Sequence, residues 1–389
     1  MTGKVFLYSA VDNVLTQYQV DVASGVLERR CSIHVPAKIQ YAWPHPSREY
    51  LYVTTSNGGP RVKSDYNHVS AFAIGPDGAL TQHGNPQPLD RRAVHMCVDP
   101  TGQFILNAHN HPMSGITVHS INSDGTIGEA VKQPHPLDYG IYPHQVMAFP
   151  SGDAALIVDR GNKPQGDKPE DPGALRSFKM RNGVLDVEDV VAPRGGYGFG
   201  PRHVDFHPSK PWLYASDERM NRLYMFRIID GRIEQEPAYT QKTLADSKSV
   251  AARQIAGPIH VHPSGRYVYV ANRADHAIEK DGQKVFAGGE NNIAVYALDQ
   301  ETGEPQLMQH ADTHSFHVRT FACDPSGSLL VTASIKALSV EDGTGLKEVP
   351  AALSVFRIGE DGRLDFVQKY DVETSGNELQ YWMGIVSVT

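Results

Sequence analysis

The chain has 389 residues, 40% hydrophobic and 21% charged, with 35 glycines and 26 prolines, a composition that favours many turns over long helices. Its net charge of −8 argues against a nucleic-acid or anionic-membrane surface as main partner, while a local arginine cluster could still bind a small anion.

The apolar run of the N-terminal MTGKVFLYSAVDN is short and broken by Asp12, so no signal peptide is expected, and no stretch has the length of a membrane span. Cys31, Cys97 and Cys323 share no metal-like spacing. They are expected as three buried thiols in a reducing cytoplasm.

A strand–turn–strand unit then recurs along the chain. It appears as HPSREYLYVTTS at Pro46, DPTGQFILNAH at Pro100 and FPSGDAALIVD at Pro150. It returns as HPSKPWLYASD at Pro208, HPSGRYVYVAN at Pro263 and DPSGSLLVTAS at Pro325. Successive prolines are 54, 50, 58, 55 and 62 residues apart, periods that mark a propeller or solenoid. Between them runs a second series of turns, at Gly25, Gly78, Gly125, Gly183, Gly231, Gly303 and Gly362. Asp-Gly and Asn-Gly between alternating strands are strong hairpin signals.

Seven glycine turns against six proline turns imply that the chain starts inside a blade. Lys4–Ser9, Leu15–Val20 and Val26–Ile33 then supply its second, third and fourth strands, and the C-terminal Trp382–Val388 supplies its first. The predicted fold is an all-β, seven-bladed propeller of four-stranded antiparallel blades, one domain over residues 1–389. The C-terminal strand closes the ring, which protects its sheet edges.

Four crossings from second to third strand are long: Ser56–Asn67, Arg160–Ala174, Arg273–Asn291 and Ile335–Ala351. All fall on one rim, where they are expected to wall the mouth of the central channel. The hairpin GPRHVDFHPSKPWLYASDERMN is expected to bring Arg202 opposite Glu218 at that rim.

Offsets from the turn proline align the blades. Six residues before it stand Gln40, Val94, His144, Arg202, Gly257 and Arg319; ten after it stand Ser56, Asn110, Arg160, Glu218, Arg273 and Ile335. The mouth therefore gathers His144, Arg160, Arg202, Glu218, Arg273 and Arg319. Guanidinium forks bind carboxylate or phosphate and stabilise an oxyanion, so the cluster suits an anionic or oxygen-rich ligand. Arg202 and Glu218 alone could be a plain ion pair; convergence of several blades on one level favours a site. His109, Asn110 and His203 are further substrate-binding candidates. His109 and His111 could help hold a divalent metal, but no spacing fixes a coordination sphere, so neither metal nor cofactor is assigned. His207 and His262 stand where other repeats use Asp99 or Asp324, and are expected to be turn residues.

The GPRH…HPS…DE pattern and hairpins such as GPIHVHPSGRYVYVANR resemble the propeller-type lactonase family along essentially the whole chain. That family includes bacterial 6-phosphogluconolactonases and the fungal 3-carboxy-cis,cis-muconate lactonizing enzyme. The resemblance implies a catalytic set of His144, Arg202, Glu218 and Arg273, and a cytoplasmic role in carbohydrate metabolism. The function expected first is hydrolysis of a sugar-acid or related hydroxy-acid lactone, with Arg202 at the carbonyl oxygen and Arg273 on the substrate. His144 and Glu218 share the acid and base roles in an order the residues leave open. A cycloisomerase acting on an unsaturated dicarboxylate ranks second, and a propeller that only binds a peptide or protein third.

Overall fold

The computed structural model describes residues 3–60, 62–343 and 345–388, which are almost wholly strand and turn. Seven antiparallel sheets of four principal strands form a ring. In the first blade, Val26–His34, Val14–Asp21 and Lys4–Val11 are followed innermost by Gln380–Val388, with Leu7 paired to Ile385. The ring therefore closes as the turn count predicts. In the fifth blade the outer strand is divided into Arg232–Ile233 and Tyr239–Lys242. Among the described residues, no helix is long and apolar enough to cross a membrane.

Burial follows position within the blade. The second strands Ala154–Asp159, Trp212–Asp217, Tyr267–Arg273 and Leu329–Ser334 are buried at every residue, because a neighbouring blade covers each face. The outer strand Val26–His34 is largely exposed. The apolar cores lie between blades: Leu156 and Val158 of the fourth pack with Leu213, Ala215 and Phe226 of the fifth. Each fully buried leucine, valine or phenylalanine among them contributes about 1.5–3 kcal/mol by leaving water.

Polar staples register one blade on the next. Tyr8, Tyr52, Tyr214 and Tyr269 donate their hydroxyls to the carbonyls of Gly78, Gly125, Gly303 and Gly362 in the following blade. His207 and His262 are turn residues, as expected. Each accepts backbone N–H bonds at Nδ1, as the carboxylates of Asp99 and Asp324 do, while Nε2 reaches the next blade's Gly265 or Gly327 carbonyl.

Two long insertions are ordered hairpins rather than irregular loops. Ala277–Lys280 pairs with Gln283–Phe286, and Leu338–Glu341 with Leu346–Val349. Lys280 Nζ lies 2.7 Å from Glu341 Oε1, joining the two. The cysteines are all unpaired, but Cys31 is exposed on an outer strand and Cys323 is only partly buried, so the expectation of three buried thiols holds for Cys97 alone.

Candidate active site

Every inner strand carries an irregularity at the same level. In the fourth blade Pro143 pairs with Asp159 and Gln145 with Val158, leaving His144 between them. Arg202 is skipped likewise between Pro201 and His203, and Arg319 between Val318 and Thr320. Gln40 and Val94 hold this place in the second and third blades, and Tyr381 holds it in the first. A β-bulge re-aims the skipped side chain and strengthens the local twist. Here six bulged residues ring the mouth. In the sixth blade the place falls to Gly257 and Pro258. A Cβ on Gly257 would stand 2.7 Å from Nε of Arg273, so the glycine makes room for that guanidinium.

The bulge also corrects the expected pairing. Asp217 pairs with Pro201, and Glu218 N–H bonds to the Gly200 carbonyl, so Glu218 is not opposite Arg202. The side chains meet because the bulge turns Arg202 toward Glu218.

A cavity of about 310 Å³ opens at this level. His144, Arg160, Arg202, Glu218, Arg273 and Arg319 all line it, so the sequence-derived cluster comes together. Glu218 is the hub, with Oε2 3.3 Å from Arg160 Nη1 and 3.7 Å from Arg202 Nε, and Oε1 3.9 Å from Arg273 Nη2. Burial alone would raise its pKa, but Arg160, Arg273 and Arg202 outweigh it and hold the carboxyl at about 2. Burial, then Arg273 and Arg319, disfavours the charged form of Arg202, which Glu218 supports. Arg202 is 1% exposed, yet its Nη1 has no hydrogen-bond partner among the described residues.

His144 is buried, and burial with Arg202, Arg319 and Arg160 lowers its pKa well below 6.5. It is a neutral imidazole at neutral pH. His203 packs on it with ring centroids 5.2 Å apart, and His95 lies 5.5 Å beyond His203. His203 thus stands behind the cavity wall rather than on it. His109 and Asn110 also lie off the cavity. The His109 ring nitrogens are engaged by the Arg92 carbonyl and Thr117 Oγ1, at 3.1 and 2.7 Å. Among the described residues, no group of three or more His, Cys, Asp or Glu side chains is placed to hold a metal ion.

The structure adds residues that the aligned columns do not contain. Tyr381 accepts a hydrogen bond from Arg92 Nη2 at 3.2 Å, and its ring lies 4.3 Å under the Arg319 guanidinium. Arg92 also donates to Gln40 Oε1 at 2.6 Å, while its buried Nη1 has no partner among the described residues. On another wall, Asp275 Oδ1 faces His317 Nδ1 at 3.5 Å, and His317 Nε2 is 3.5 Å from Arg273 Nη1. Burial lowers the His317 pKa to about 4 despite Asp275. In all, seven cationic side chains line the cavity against two carboxylates. A chain of net charge −8 keeps a strongly positive mouth.

Such a mouth, with several guanidiniums around a neutral imidazole, is chemically suited to an oxygen-rich anionic ligand. The model of the family described as "Lactonase, 7-bladed beta-propeller" matches residues 8–341, and the chain belongs to that family. The chain is 24% identical over 379 residues to a 6-phosphogluconolactonase of Yersinia pestis (strain Pestoides F), covering 96% of each. It is 27% identical over 277 residues to the 6-phosphogluconolactonase of Bacillus subtilis (strain 168), covering 68% of this chain and 70% of that one. The periplasmic gluconolactonase structure from Pseudomonas aeruginosa aligns over 99% of this chain and 100% of that one, with TM-score 0.72 and 18% identity. That likeness speaks for the fold.

Proposed function

We propose that this protein hydrolyses the ring ester of a sugar-acid lactone that carries a negative charge. One observation carries the reading: a neutral imidazole, His144, lines one positive cavity with the guanidinium of Arg202, whose Nη1 has no hydrogen-bond partner among the described residues. The first supplies a base for water and the second a donor for an oxyanion. The names of the curated relatives point the same way.

In this mechanism the lactone carbonyl oxygen faces Arg202. His144 takes a proton from water as the water oxygen attacks the acyl carbon. The tetrahedral adduct collapses, the bond from acyl carbon to ring oxygen breaks, and the ring oxygen takes up a proton. The product leaves as an open hydroxy-carboxylate, with one proton released. Glu218, with its pKa near 2, is too weakly basic to activate water at neutral pH. Its role is to fix Arg160, Arg202 and Arg273. Arg273 and Arg160 bind substrate hydroxyls, and Arg319 binds the charged substituent. His203 orients His144 from behind, while His109 and Asn110 support the wall. The three unpaired thiols suit a reducing compartment, and we place the chain in the cytoplasm; cell fractionation reads this directly.

The test is proton release in a pH-stat with glucono-, galactono- and 6-phosphoglucono-lactones, against the spontaneous rate. Wild type is expected to exceed background most with the phosphorylated lactone, and Arg202→Ala and His144→Ala to lose that excess. Wild-type rates at background on every lactone would overturn the reading.

A further inference from the structure

Water addition has its base and oxyanion donor, but the departing ring oxygen needs a proton. Glu218 is ionised at neutral pH, and His144 begins the cycle unprotonated. Tyr381 occupies the same bulge position as His144 and Arg202, but in the first blade. In the ring it stands three blades from His144, across the mouth. Its hydroxyl oxygen accepts from Arg92, and no residue among those described accepts the phenolic proton. That proton is free to point into the cavity.

Resting on the lactonase reading, we propose that Tyr381 is the general acid that protonates the ring oxygen as the acyl C–O bond breaks. The phenolic O–H bond breaks, the ring oxygen becomes the product hydroxyl, and the phenolate is held by Arg92 and Arg319. The proton that His144 took from water then restores the phenol through solvent. One water is consumed, and one carboxylate and one proton are released. The site's electrostatics agree: burial would raise the phenol's pKa, but Arg319, Arg92 and Arg202 outweigh it and the net shift is downward. Acid and base on opposite sides of one acyl carbon spare a single imidazole from serving both the water and the ring oxygen.

The experiment compares wild type with Tyr381→Phe on two kinds of lactone. A sugar lactone expels an alkoxide, which needs a proton; dihydrocoumarin expels a phenoxide, which does not. Tyr381→Phe keeps the ring under Arg319 and is expected to lower kcat about 10²- to 10⁴-fold on the sugar lactone. On dihydrocoumarin the loss should stay within about threefold, since general acid help scales with leaving-group basicity. A second arm places 3,5-difluorotyrosine at 381, which acidifies the phenol with little change of shape. A proton donor changes kcat severalfold on the sugar lactone, whereas a structural hydroxyl leaves it unchanged. Equal losses on both lactones, or an unchanged kcat in both variants, overturn the role of Tyr381 while leaving the hydrolase reading intact. A wild type that opens no lactone overturns both.

Discussion

Arg202 Nε lies 3.7 Å from Glu218 Oε2, although the two residues are not paired in their hairpin. The bulge at Arg202 swings its guanidinium across, and Glu218 gathers Arg160 and Arg273 from neighbouring blades around the same carboxylate. One acidic side chain therefore holds three blades' worth of positive charge in place.

This arrangement ties stability to Glu218. Its folded pKa is lowered from 4.5 to about 2, so its contribution is full above pH 4.5 and is lost as pH falls toward 2. The difference corresponds to about 3 kcal/mol. Glu218→Gln leaves three guanidiniums repelling one another and should be about 3 kcal/mol less stable than wild type at pH 7. The gap should close as pH falls below 4.5. Urea unfolding at a series of pH values measures it, and equal midpoints at pH 7 would refute the role.

As the proposed base, His144 should set the acid side of activity. Its pKa is pushed well below 6.5 by burial and by Arg202, Arg319 and Arg160, so the imidazole stays a competent base through neutral pH. The acid limb of kcat/KM should lie below pH 6.5. His144→Ala should lower kcat about 10²- to 10⁴-fold at pH 7, with KM little altered. An acid limb centred above pH 6.5 would remove His144 as the base.

The repeats made much of this legible. Proline and glycine turns report strand ends directly, so the blade count and the closing strand follow from spacing alone. The offset columns found His144, Arg202, Arg319, Arg160, Glu218 and Arg273 because each is at a fixed distance from a turn proline. Tyr381 holds the equivalent place on its inner strand, yet no proline turn follows that strand, so neither column contains it. Aligning Gln380–Val388 with the other inner strands would have found it. Arg92 and Asp275 stand outside both columns and reach the cavity by side-chain length or loop path, which no spacing encodes. The columns also draw in Asn110, to which the nearby His109 is added, but both are buried off the cavity.

Gly257 shows how a missing side chain serves the site. A Cβ there would stand 2.7 Å from Arg273 Nε, 2.8 Å from its Cδ and 3.1 Å from the Ala271 carbonyl oxygen. Gly257→Ala should displace Arg273 from the mouth and raise KM about tenfold, equivalent to about 1.4 kcal/mol of lost substrate binding. Urea unfolding of the same variant separates this from global damage, since the fold should lose far less than a large core truncation would. An unchanged KM would mean that Arg273 contributes nothing to substrate binding.

The closing strand carries both a core anchor and a residue of the mouth. Trp382 is 4% exposed and packs with Tyr8, Leu15, Ile39 and Phe72 between the first and second blades. Its neighbour Tyr381 faces the cavity. Trp382→Ala should cost about 3–5 kcal/mol, as for other large aromatic truncations in a core. Because the pairing of this strand with Lys4–Val11 closes the ring, the loss should appear first as opening of the first blade. Hydrogen exchange should therefore rise in Lys4–Val11, whose partner strand is loosened, before it rises in the fourth and fifth blades. Activity should fall in parallel as Tyr381 loses its footing. Uniform exchange across all seven blades would show instead that the ring unfolds as one unit, with no weak point at its closure.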